Sequence, residues 1–427
     1  MLNVKFILCH MDLVCAKLKK RGMETSFLDK LIYLDKDRKK LIQEIDQKRF
    51  YKNNLTKNIL ELKTQNKLDD SFLKKEQILK QNLKEFERQY QEVEQKILDI
   101  LSYIPNLPHD SVPYGTSEKD NIEISCYPET HQRSFVPKDH IELGTKLNIL
   151  DFEKAAKITG SKFVVLKGVG AKLERALINF MIDTHLSRGY QEILPPFIVN
   201  EQSMFAAGQL PKFKKELFQL KLEKQNWYLN PTAEVPIINL HRNDLLDITQ
   251  LPLKYVGYTT CFRQEAGAAG KKTKGILRQK QFNKVELIQF VEPKSSYLVL
   301  EQMLKDSEYI LQQLKLPYRV VLLSTGDLGF SMSKTYDIEV WLAGQNKYCE
   351  IASISNAEDF QARRANIKFI WDKKEKREYV HTLNGSALAI GRTMMAILEN
   401  YQDENGNIQI PEVLHKYMGI DLITIKR

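Results

Sequence analysis

Two long stretches without glycine or proline constrain the fold of this chain more than any other feature. They run from about Leu28 to Leu62 and from about Phe72 to Leu101 and are rich in lysine, glutamate, glutamine and leucine, all good helix formers. In steps that alternate between four and three residues, six of nine positions from Leu34 to Leu62 are apolar, as are all seven from Leu79 to Ile100. This spacing predicts that each helix presents a seam to another helix.

The polar segment between the two stretches predicts that they fold back as one antiparallel hairpin. It runs from Thr64 to Ser71, and Asp69-Asp70-Ser71 offers an N-cap for the second helix. The distal half of the hairpin, Lys48 to Lys84, holds ten basic and four acidic residues, a net charge of +6. These residues alone leave two interpretations open: a solvated coiled-coil surface, or a positive arm that follows nucleic-acid phosphates.

A second domain is expected after a linker in which three prolines and a glycine cluster between positions 105 and 115. We place the N-terminal domain at 1–104 with its coiled coil at about 28–101, the linker at 105–130 and the second domain at 131–427. Short β-like runs there mix with longer helices without a regular βαβ rhythm. This pattern predicts an α+β fold with a mixed, mainly antiparallel sheet flanked by helices.

Composition narrows the class of protein. A chain of 427 residues usually forms more than one core, and 43% hydrophobic with 28% charged residues argues against disorder and against a membrane span. The net charge of +10 is compatible with an anionic partner without requiring one. The five cysteines are widely spread with no CxxC pair, so we expect reduced thiols and no structural zinc. No secretory signal opens the sequence, which predicts a cytoplasmic protein.

The segment at 257–290 carries the most chemical information. The β-like runs GYTTCFRQE and QFNKVELIQF flank a loop with three glycines and several basic residues. Alternation along a strand places Arg263 and Glu265 on one face, and Lys284 and Glu286 on one face of the second run. The charges alone are compatible with a polyphosphate site or with a solvent-exposed hairpin. The chain lacks a P-loop and a GxGxxG fingerprint, so ATP would need another kind of site.

A resemblance to a known family decides between the polyphosphate site and the solvent-exposed hairpin. FRQE resembles motif 2 of the class II aminoacyl-tRNA synthetases, at about 257–290, and CFRQEAGAAG…RQKQFNKVE resembles that of the seryl-tRNA synthetases. GYQEILPPFIVN resembles the end of motif 1, at about 171–200, and NPTAEVPIINL at 230–240 resembles the family's serine-binding segment. LNGSALAIGRTMMAILENYQ resembles motif 3, at about 383–402. The similarities occur in the family's order and span essentially the whole chain.

The resemblance implies a serine–tRNA ligase. Serine and ATP would give seryl-adenylate, and serine would then pass to the 3′ end of tRNA(Ser); whether tRNA(Sec) is a second substrate stays open. Such a reaction needs positioning and charge neutralisation rather than a protein nucleophile, and the implied catalytic residues are Arg263 and Arg392. The implied ATP-binding set is Arg263, Gln264, Glu265, Arg278, Phe282, Glu350, Ile351, Ala352, Ser353 and Arg392.

The resemblance also assigns a metal, an amino-acid site and further partners. Glu350 and Ser353 would hold Mg²⁺ together with ATP, and Glu286 would accept the substrate hydroxyl, so that alanine is rejected. The implied serine-binding residues are Thr232, Ala233, Glu234, Arg263, Glu286, Asn384 and Ser386. The implied tRNA-binding residues on the arm are Lys48, Arg49, Lys52, Lys57 and Lys63. Motif 1 implies a homodimer, and no membrane partner is expected.

Four positions carry residues that differ from those usual in the family. The family commonly has Ser where this chain has Gln264 and His where it has Lys280. It commonly has Ser where this chain has Ala352 and Gly where it has Ala387. The Ala387 substitution matters most, since glycine near a nucleotide permits close backbone approach. Two rival functions stay open: activation of an amino acid for a carrier other than tRNA, and RNA binding by an inactive synthetase scaffold. The intact basic hairpin argues against the first, and the full set of phosphate-handling residues argues against the second.

Overall fold

The computed structural model describes residues 1–66, 69–127, 134–222, 225–266, 275–371 and 376–424. The chain divides into two compact units. One contains residues 2–19 and 23–104, and the other contains residue 1, residues 20–22 and residues 105–427. In the ranges described, no helix combines the length and the apolar character needed to cross a membrane.

The first unit is built around a helical hairpin. Each of the two predicted long helices is three residues longer than the sequence pattern indicates, and Asp69 caps the second helix by accepting a hydrogen bond from the Ser71 amide. The helices of this part of the chain are α1 Val4–Cys9, α2 Met11–Lys20, α3 Phe27–Thr64 and α4 Asp70–Ser102.

The seam between α3 and α4 follows the predicted heptad positions. Leu34, Ile45 and Ile59 of α3 are buried, as are Leu83 and Ile97 of α4. Burying these side chains between the helices stabilises a hairpin whose outer faces are polar. The predicted antiparallel coiled-coil arm is therefore confirmed.

The second unit contains an eight-stranded sheet in the order β1-β11-β12-β13-β16-β10-β9-β4, antiparallel throughout except for the parallel edge pair β4 and β9. The predicted mixed, mainly antiparallel sheet is confirmed. The strands of this sheet are β1 Ile122–Tyr127, β4 Gln191–Ile193, β9 Leu253–Phe262, β10 Gln281–Val291, β11 Tyr318–Leu322, β12 Lys334–Leu342, β13 Lys347–Asn356 and β16 His381–Ala389.

Shorter strands form small sheets around the main one. They are β2 Leu150–Asp151, β3 Val165–Leu166, β5 Ile198–Asn200, β6 Gln219–Leu222, β7 Gln225–Leu229, β8 Leu245–Asp247, β14 Lys368–Ile370, β15 Arg377–Tyr379, β17 Ile408–Gln409 and β18 Leu422–Ile423. The helices of this unit are α5 His140–Lys146, α6 Phe152–Thr159, α7 Val169–Leu186, α8 Glu201–Ala206, α9 Glu234–Ile238, α10 Ser296–Gln313, α11 Phe360–Ala365, α12 Ile390–Asn400 and α13 His415–Met418.

Strand β10 separates the largest core from the site. Its odd-numbered residues, including Val285 and Leu287, pack in the cluster that also contains Leu173 and Leu177 of α7. Even-numbered residues face the opposite side, where Ile288 and Phe290 join a second apolar cluster. Because side chains alternate along a strand, Phe282, Lys284 and Glu286 are directed away from the large core.

Candidate active site

A cavity of about 240 Å³ opens between β10, β13, β16 and the start of α12. Antiparallel strands place side chains from distant parts of the sequence side by side here, and the adjacent N-terminal turn of α12 contributes Arg392. The cavity is lined by Arg263, Glu265, Ile276, Leu277, Arg278, Gln279, Phe282, Lys284, Glu350, Ile351, Ser353, Ser386, Ala389, Gly391 and Arg392.

A hydrogen-bonded network of Thr232, Glu234, Lys284 and Glu286 adjoins the cavity through Lys284, which lines it, and we call this network the buried end of the cavity. Glu286 is 0% exposed, and its Oε2 accepts hydrogen bonds from the Thr232 hydroxyl and, at 3.1 Å, from the Glu234 amide. Its Oε1 lies 2.6 Å from Lys284 Nζ. A buried carboxylate requires such donors, so the surrounding residues fix where Glu286 points before any ligand is present.

Glu234 adds a second buried carboxylate to this end. Its Oε1 accepts a hydrogen bond from Gln361 Nε2, and Gln361 Oε1 in turn accepts one from the Thr382 hydroxyl at 2.6 Å. Burial, reinforced by the nearby Glu286 carboxylate, raises the pKa of Glu234 to about 7. The side chain therefore changes its charge near neutral pH.

The arginine end of the cavity, which we define as Arg263, Arg278 and Arg392, is more open. The Arg263 guanidinium carbon lies 5.2 Å from the centre of the Phe282 ring, and Arg263 Nε donates to the Pro231 carbonyl at 3.2 Å. Arg263 also lines the cavity. A planar guanidinium with several donors suits an anionic group placed against an aromatic ring.

Two acidic partners hold the other arginines. Arg278 Nη1 lies 3.2 Å from Glu265 Oε2, while Arg392 Nη1 donates to the Glu350 carbonyl at 2.6 Å and lies 3.4 Å from Glu350 Oε2. Glu265 itself adopts a left-handed backbone conformation with φ of +50°, which is uncommon for a non-glycine residue. These charge pairs place three guanidinium groups around one space.

Carboxylate and hydroxyl oxygen atoms line the wall of the cavity formed by β13. Glu350 and Ser353 both face the cavity, and the Ser353 hydroxyl hydrogen-bonds the Asp337 carboxylate on the paired strand β12. The Oδ1 atom of Asp337 is buried without a hydrogen-bond partner among the described residues. Burial, reinforced by the Glu350 carboxylate, raises the pKa of Asp337 well above its ordinary value. Carboxylate and hydroxyl oxygens are the donors that Mg²⁺ prefers.

Most of the predicted site residues meet at this cavity, but Gln264 does not line it. Its side-chain amide instead donates to the Leu217 carbonyl at 2.7 Å, and its backbone amide donates to the Glu216 carbonyl at 2.9 Å. Ala233 and Ala352 are buried, Ala352 in the large apolar core. Their side chains supply packing next to the site.

Two further predicted positions behave differently. Asn384 lies on β16 with its Oδ1 buried and without a partner in the described part of the chain. Ala387 is the extra residue of a bulge, since Glu286 pairs with Ser386 and Val285 pairs with Leu388. Its methyl group is fully buried in the large core. The methyl that replaces the family's usual glycine hydrogen is therefore accommodated by core packing rather than by the cavity.

Several functional residues were missed by sequence reasoning. Lys284 lies on the same strand face as Phe282 and Glu286, so alternation alone could have selected it. Ile276, Leu277 and Gln279 line the cavity from the segment just before β10. The central part of that loop, 267–274, lies outside the described residues, and the expectation that its basic residues surround polyphosphate stays a prediction.

On the arm, the five predicted tRNA-binding residues have different surroundings. The Lys48 ammonium lies 4.6 Å from the centre of the Phe86 ring in the hairpin seam, and Arg49 pairs with Glu87 at 2.9 Å. Lys57 and Lys63 are exposed and Lys52 is half-buried. Lys48 occupies a heptad position, which explains why its stem packs between the helices.

Comparison with known proteins defines the family. Residues 1–108 match the seryl-tRNA synthetase N-terminal domain, and residues 214–401 match the tRNA synthetase class II core domain (G, H, P, S and T). The serine–tRNA ligase of Aster yellows witches'-broom phytoplasma is 57% identical over 423 residues, which cover 99% of this chain and 100% of that protein. The chain belongs to the serine–tRNA ligase family.

Other members of this family give the same result. The serine–tRNA ligase of Acholeplasma laidlawii is 57% identical over 99% of this chain and all of its own length. The crystal structure of seryl-tRNA synthetase from Pyrococcus horikoshii complexed with ATP matches with a TM-score of 0.91 at 37% identity, covering 100% of both chains. The predicted family, fold and enzyme class, an ATP-dependent class II serine–tRNA ligase, are thereby confirmed.

Proposed function

We propose that this cavity activates L-serine with ATP, with the buried end holding the amino acid and the arginine end holding the nucleotide. The observation that carries the proposal is the fully buried Glu286, which is bonded to Thr232, Glu234 and Lys284 next to three converging arginines. A small hydroxylated amino acid is what a buried acceptor among such donors would select. The residue roles below follow from this arrangement and from the family pattern.

The amino acid uses the buried end. The serine hydroxyl donates to Glu286 and its ammonium pairs with Glu234, while the Thr232 hydroxyl donates to the Glu286 carboxylate and accepts from the Glu234 backbone amide. Asn384 and Ser386, on the strand paired with β10, complete the pocket, and Ala233 shapes its floor. The serine carboxylate then lies toward Arg263, whose charge also acts on the buried Glu234.

The nucleotide uses the arginine end. Adenine stacks on Phe282, with Arg392 across the other face of the nucleotide and Glu265 at its edge. Arg278 exchanges its Glu265 partner for the terminal phosphates of ATP, and Ile351 forms part of the wall. Gln264 acts indirectly, because its side chain fixes the strand end that presents Arg263.

Magnesium accompanies ATP in this proposal. Glu350 and Ser353 supply two hard oxygen ligands from one strand, and ATP oxygens with water complete the coordination shell that Mg²⁺ prefers. When bound, the ion neutralises phosphate charge. Among the described residues no cluster of three or more His, Cys, Asp or Glu side chains could hold a metal ion by itself.

The reaction requires no protein nucleophile. A serine carboxylate oxygen attacks the α-phosphorus of ATP, the bond to the bridging oxygen breaks, and pyrophosphate leaves with both bonding electrons. Arg263 contacts the serine carboxylate and the α-phosphate, so it aligns the two anions and stabilises charge that develops at phosphorus. The terminal ribose hydroxyl of tRNA then attacks the acyl carbon and releases AMP.

The arm and the assembly complete the proposal. The positive distal half of the hairpin, with Lys52, Lys57 and Lys63 as its freest predicted contacts, would follow the phosphates of tRNA(Ser). We propose the domain limits 1–104, 105–130 and 131–427, a homodimer formed through motif 1, and a cytoplasmic location. Arg49 and Lys48 contribute to the same positive face from partly paired positions.

Serine-dependent exchange of labelled pyrophosphate into ATP tests the activation step. We expect exchange with serine and only background without it. Absence of exchange above the no-serine background would overturn the proposed site and would favour the inactive RNA-binding scaffold.

Deletion of the arm separates activation from transfer. Removing residues 36–96 should leave pyrophosphate exchange largely intact and cripple aminoacylation of tRNA(Ser), because only the second step needs the tRNA contact. Charge reversal at Lys52, Lys57 and Lys63 should weaken tRNA binding and flatten its salt dependence. If exchange and aminoacylation fall together on deletion, the arm is structural. Exchange without any transfer to purified tRNA(Ser) by the full-length enzyme would favour a carrier other than tRNA.

A further inference from the structure

His140 lies outside the motifs of the family and outside the cavity lining, yet it contacts both motif 2 and motif 3. It is the first residue of α5, is only 2% exposed, and follows Asp139, whose side chain caps the helix. Its Nδ1 lies 2.8 Å from Glu399 Oε1 on α12, and its Nε2 lies 3.3 Å from the backbone nitrogen of Ile276. One buried imidazole therefore joins two elements that build the site.

The partners define which ring nitrogen carries the proton. Glu399 also accepts hydrogen bonds from the His140 amide at 3.2 Å, the Gly344 amide at 3.0 Å and Gln345 Nε2 at 2.8 Å. An ionised carboxylate only accepts, so His140 Nδ1 donates to it. Nε2 is then free of hydrogen and accepts from the Ile276 amide. Glu399 thus fixes both the tautomer and the orientation of the ring.

The amide that His140 holds belongs to the cavity wall. Ile276, Leu277 and Arg278 follow one another along the turn that precedes β10, and all three line the cavity. The Leu277 carbonyl accepts a hydrogen bond from Arg392 Nε at 3.4 Å. Since Arg392 and Glu399 lie on the same helix, α12 holds this short segment directly through Arg392 and indirectly through His140.

The neighbouring glycine shows how closely the ring fits. Gly275 has φ of +69°, and a Cβ added to it would lie 2.1 Å from His140 Nε2. No side chain other than hydrogen can occupy that position while the ring stays in place. The backbone at Gly275 therefore lies in close contact with the His140 ring.

We propose that His140 is a positioning residue for ATP: held by Glu399, it fixes the Ile276 amide and so aligns Leu277 and Arg278 with the nucleotide. The proposal rests on the ATP site proposed above. It assigns to His140 no contact with substrate, so its loss should impair ATP binding more than serine binding. The buried end of the cavity shares none of its hydrogen bonds.

Kinetic constants of the full-length enzyme test this role. His140→Leu should raise the KM for ATP in pyrophosphate exchange about tenfold and change the KM for serine less than twofold. His140→Gln keeps an acceptor for the Ile276 amide, so its KM for ATP should return most of the way to the wild-type value. His185→Leu, which replaces a buried histidine whose ring nitrogens have no partner among the described residues, should leave the KM for ATP unchanged. Equal effects on both substrates, or failure of glutamine to rescue, would overturn the proposal.

A glycine pair tests the same geometry if His140→Leu does not fold. Gly275 and Gly22 share φ of +69°, but a Cβ at Gly22 would meet nothing within 4 Å. Both alanine variants carry the same backbone strain, and only Gly275→Ala displaces His140. We expect the ATP-specific rise in KM for Gly275→Ala alone. Identical KM values for ATP in the two variants would contradict the proposal.

Two direct measurements complete the test. Hydrogen exchange followed by mass spectrometry should show the Ile276 amide exchanging at least tenfold faster in His140→Leu than in the wild type, and at a rate close to that of the wild type in His140→Gln. ATP binding by the wild type is measured first by calorimetry. No binding would overturn the proposed ATP site and this inference with it, whereas normal binding with unaltered variants would overturn the inference alone.

Discussion

The two ends of the cavity differ in how completely their side chains are held before substrate arrives. At the buried end, Glu286 is 0% exposed and contacts three donors within the protein. At the arginine end, the Arg278 side chain is 49% exposed, and among the described residues its ion pair is with Glu265. A preformed buried network discriminates strongly because any mismatch leaves a charge unsatisfied, whereas an open charge pair can be exchanged for phosphate.

This difference has a physical basis in the substrates. Serine is small and offers one hydroxyl, so selectivity must come from fixed geometry around that group. ATP carries its own charge and brings many contacts, so arginines held by exchangeable charge pairs suffice until it binds. The comparison predicts large, serine-specific effects from changes at the buried end and smaller, graded effects at the arginine end.

The largest effect is expected from Glu286→Gln. The amide keeps the shape but replaces an acceptor by a donor facing Lys284 and Thr232, which leaves buried donors unpaired. We expect kcat/KM for serine in pyrophosphate exchange to fall by roughly three orders of magnitude, in line with sites built to bind a hydroxyl. Glu292→Gln, at the end of the same strand and outside the cavity lining, is the control. If kcat/KM for serine fell only tenfold or less in Glu286→Gln, the proposed difference between the two ends would be wrong.

Arg263→Lys should have the next largest effect. Lysine keeps the positive charge but lacks the fork that can contact a carboxylate and a phosphate together, and one Arg263 nitrogen already bonds the Pro231 carbonyl. We expect kcat for exchange to fall about a hundredfold. Arg88→Lys on the arm is the matched control and should not alter exchange. Activity close to wild type for Arg263→Lys would exclude a bridging role.

The pKa of Glu234, raised to about 7 by burial and by Glu286, predicts a pH dependence confined to the buried end. Below this pKa the carboxyl is neutral; above it the ionised form attracts the serine ammonium. The KM for serine should therefore fall by up to about tenfold from pH 6 to pH 8, while the KM for ATP changes less. Glu234→Gln should abolish this trend. A trend that persists in the glutamine variant would assign it to another group.

The smallest effect is expected at Gln264, whose amide fixes the strand end by donating to the Leu217 carbonyl. Gln264→Ser, which restores the family's usual residue, removes this contact without touching the cavity. We expect kcat to change about twofold or less and the melting temperature to fall by a few degrees at most. A tenfold change in the KM for ATP would instead show that Gln264 contacts the nucleotide.

The sequence predicts what depends on local pattern. Heptad spacing located the arm helices, and Asp69 was recognisable as an N-cap because capping involves neighbours in sequence. Strand alternation placed Lys284 and Glu286 on one face. The family motifs located most of the charged cavity residues but missed Ile276, Leu277 and Gln279. Three residues that the motifs predicted, Gln264, Ala233 and Ala352, lie beside the cavity.

The rest could not be predicted because it depends on contacts between residues far apart in sequence. Gln361 reaches Glu234 across 127 positions, and His140 reaches Ile276 across 136 and Glu399 across 259. No periodicity or spacing connects these residues. The bulge that places Ala387 in the core is likewise a property of how β10 and β16 pair, since a bulge is set by register rather than by composition.

The most direct test of the two-ended cavity measures both Michaelis constants in two variants side by side. Thr232→Val removes one donor from the buried Glu286, and Arg278→Ala removes one cation from the arginine end. Pyrophosphate exchange should show the KM for serine raised about tenfold in Thr232→Val with the KM for ATP within twofold of wild type, and the reverse in Arg278→Ala. If either variant raises both constants to a similar extent, the division of the cavity into these two ends is wrong.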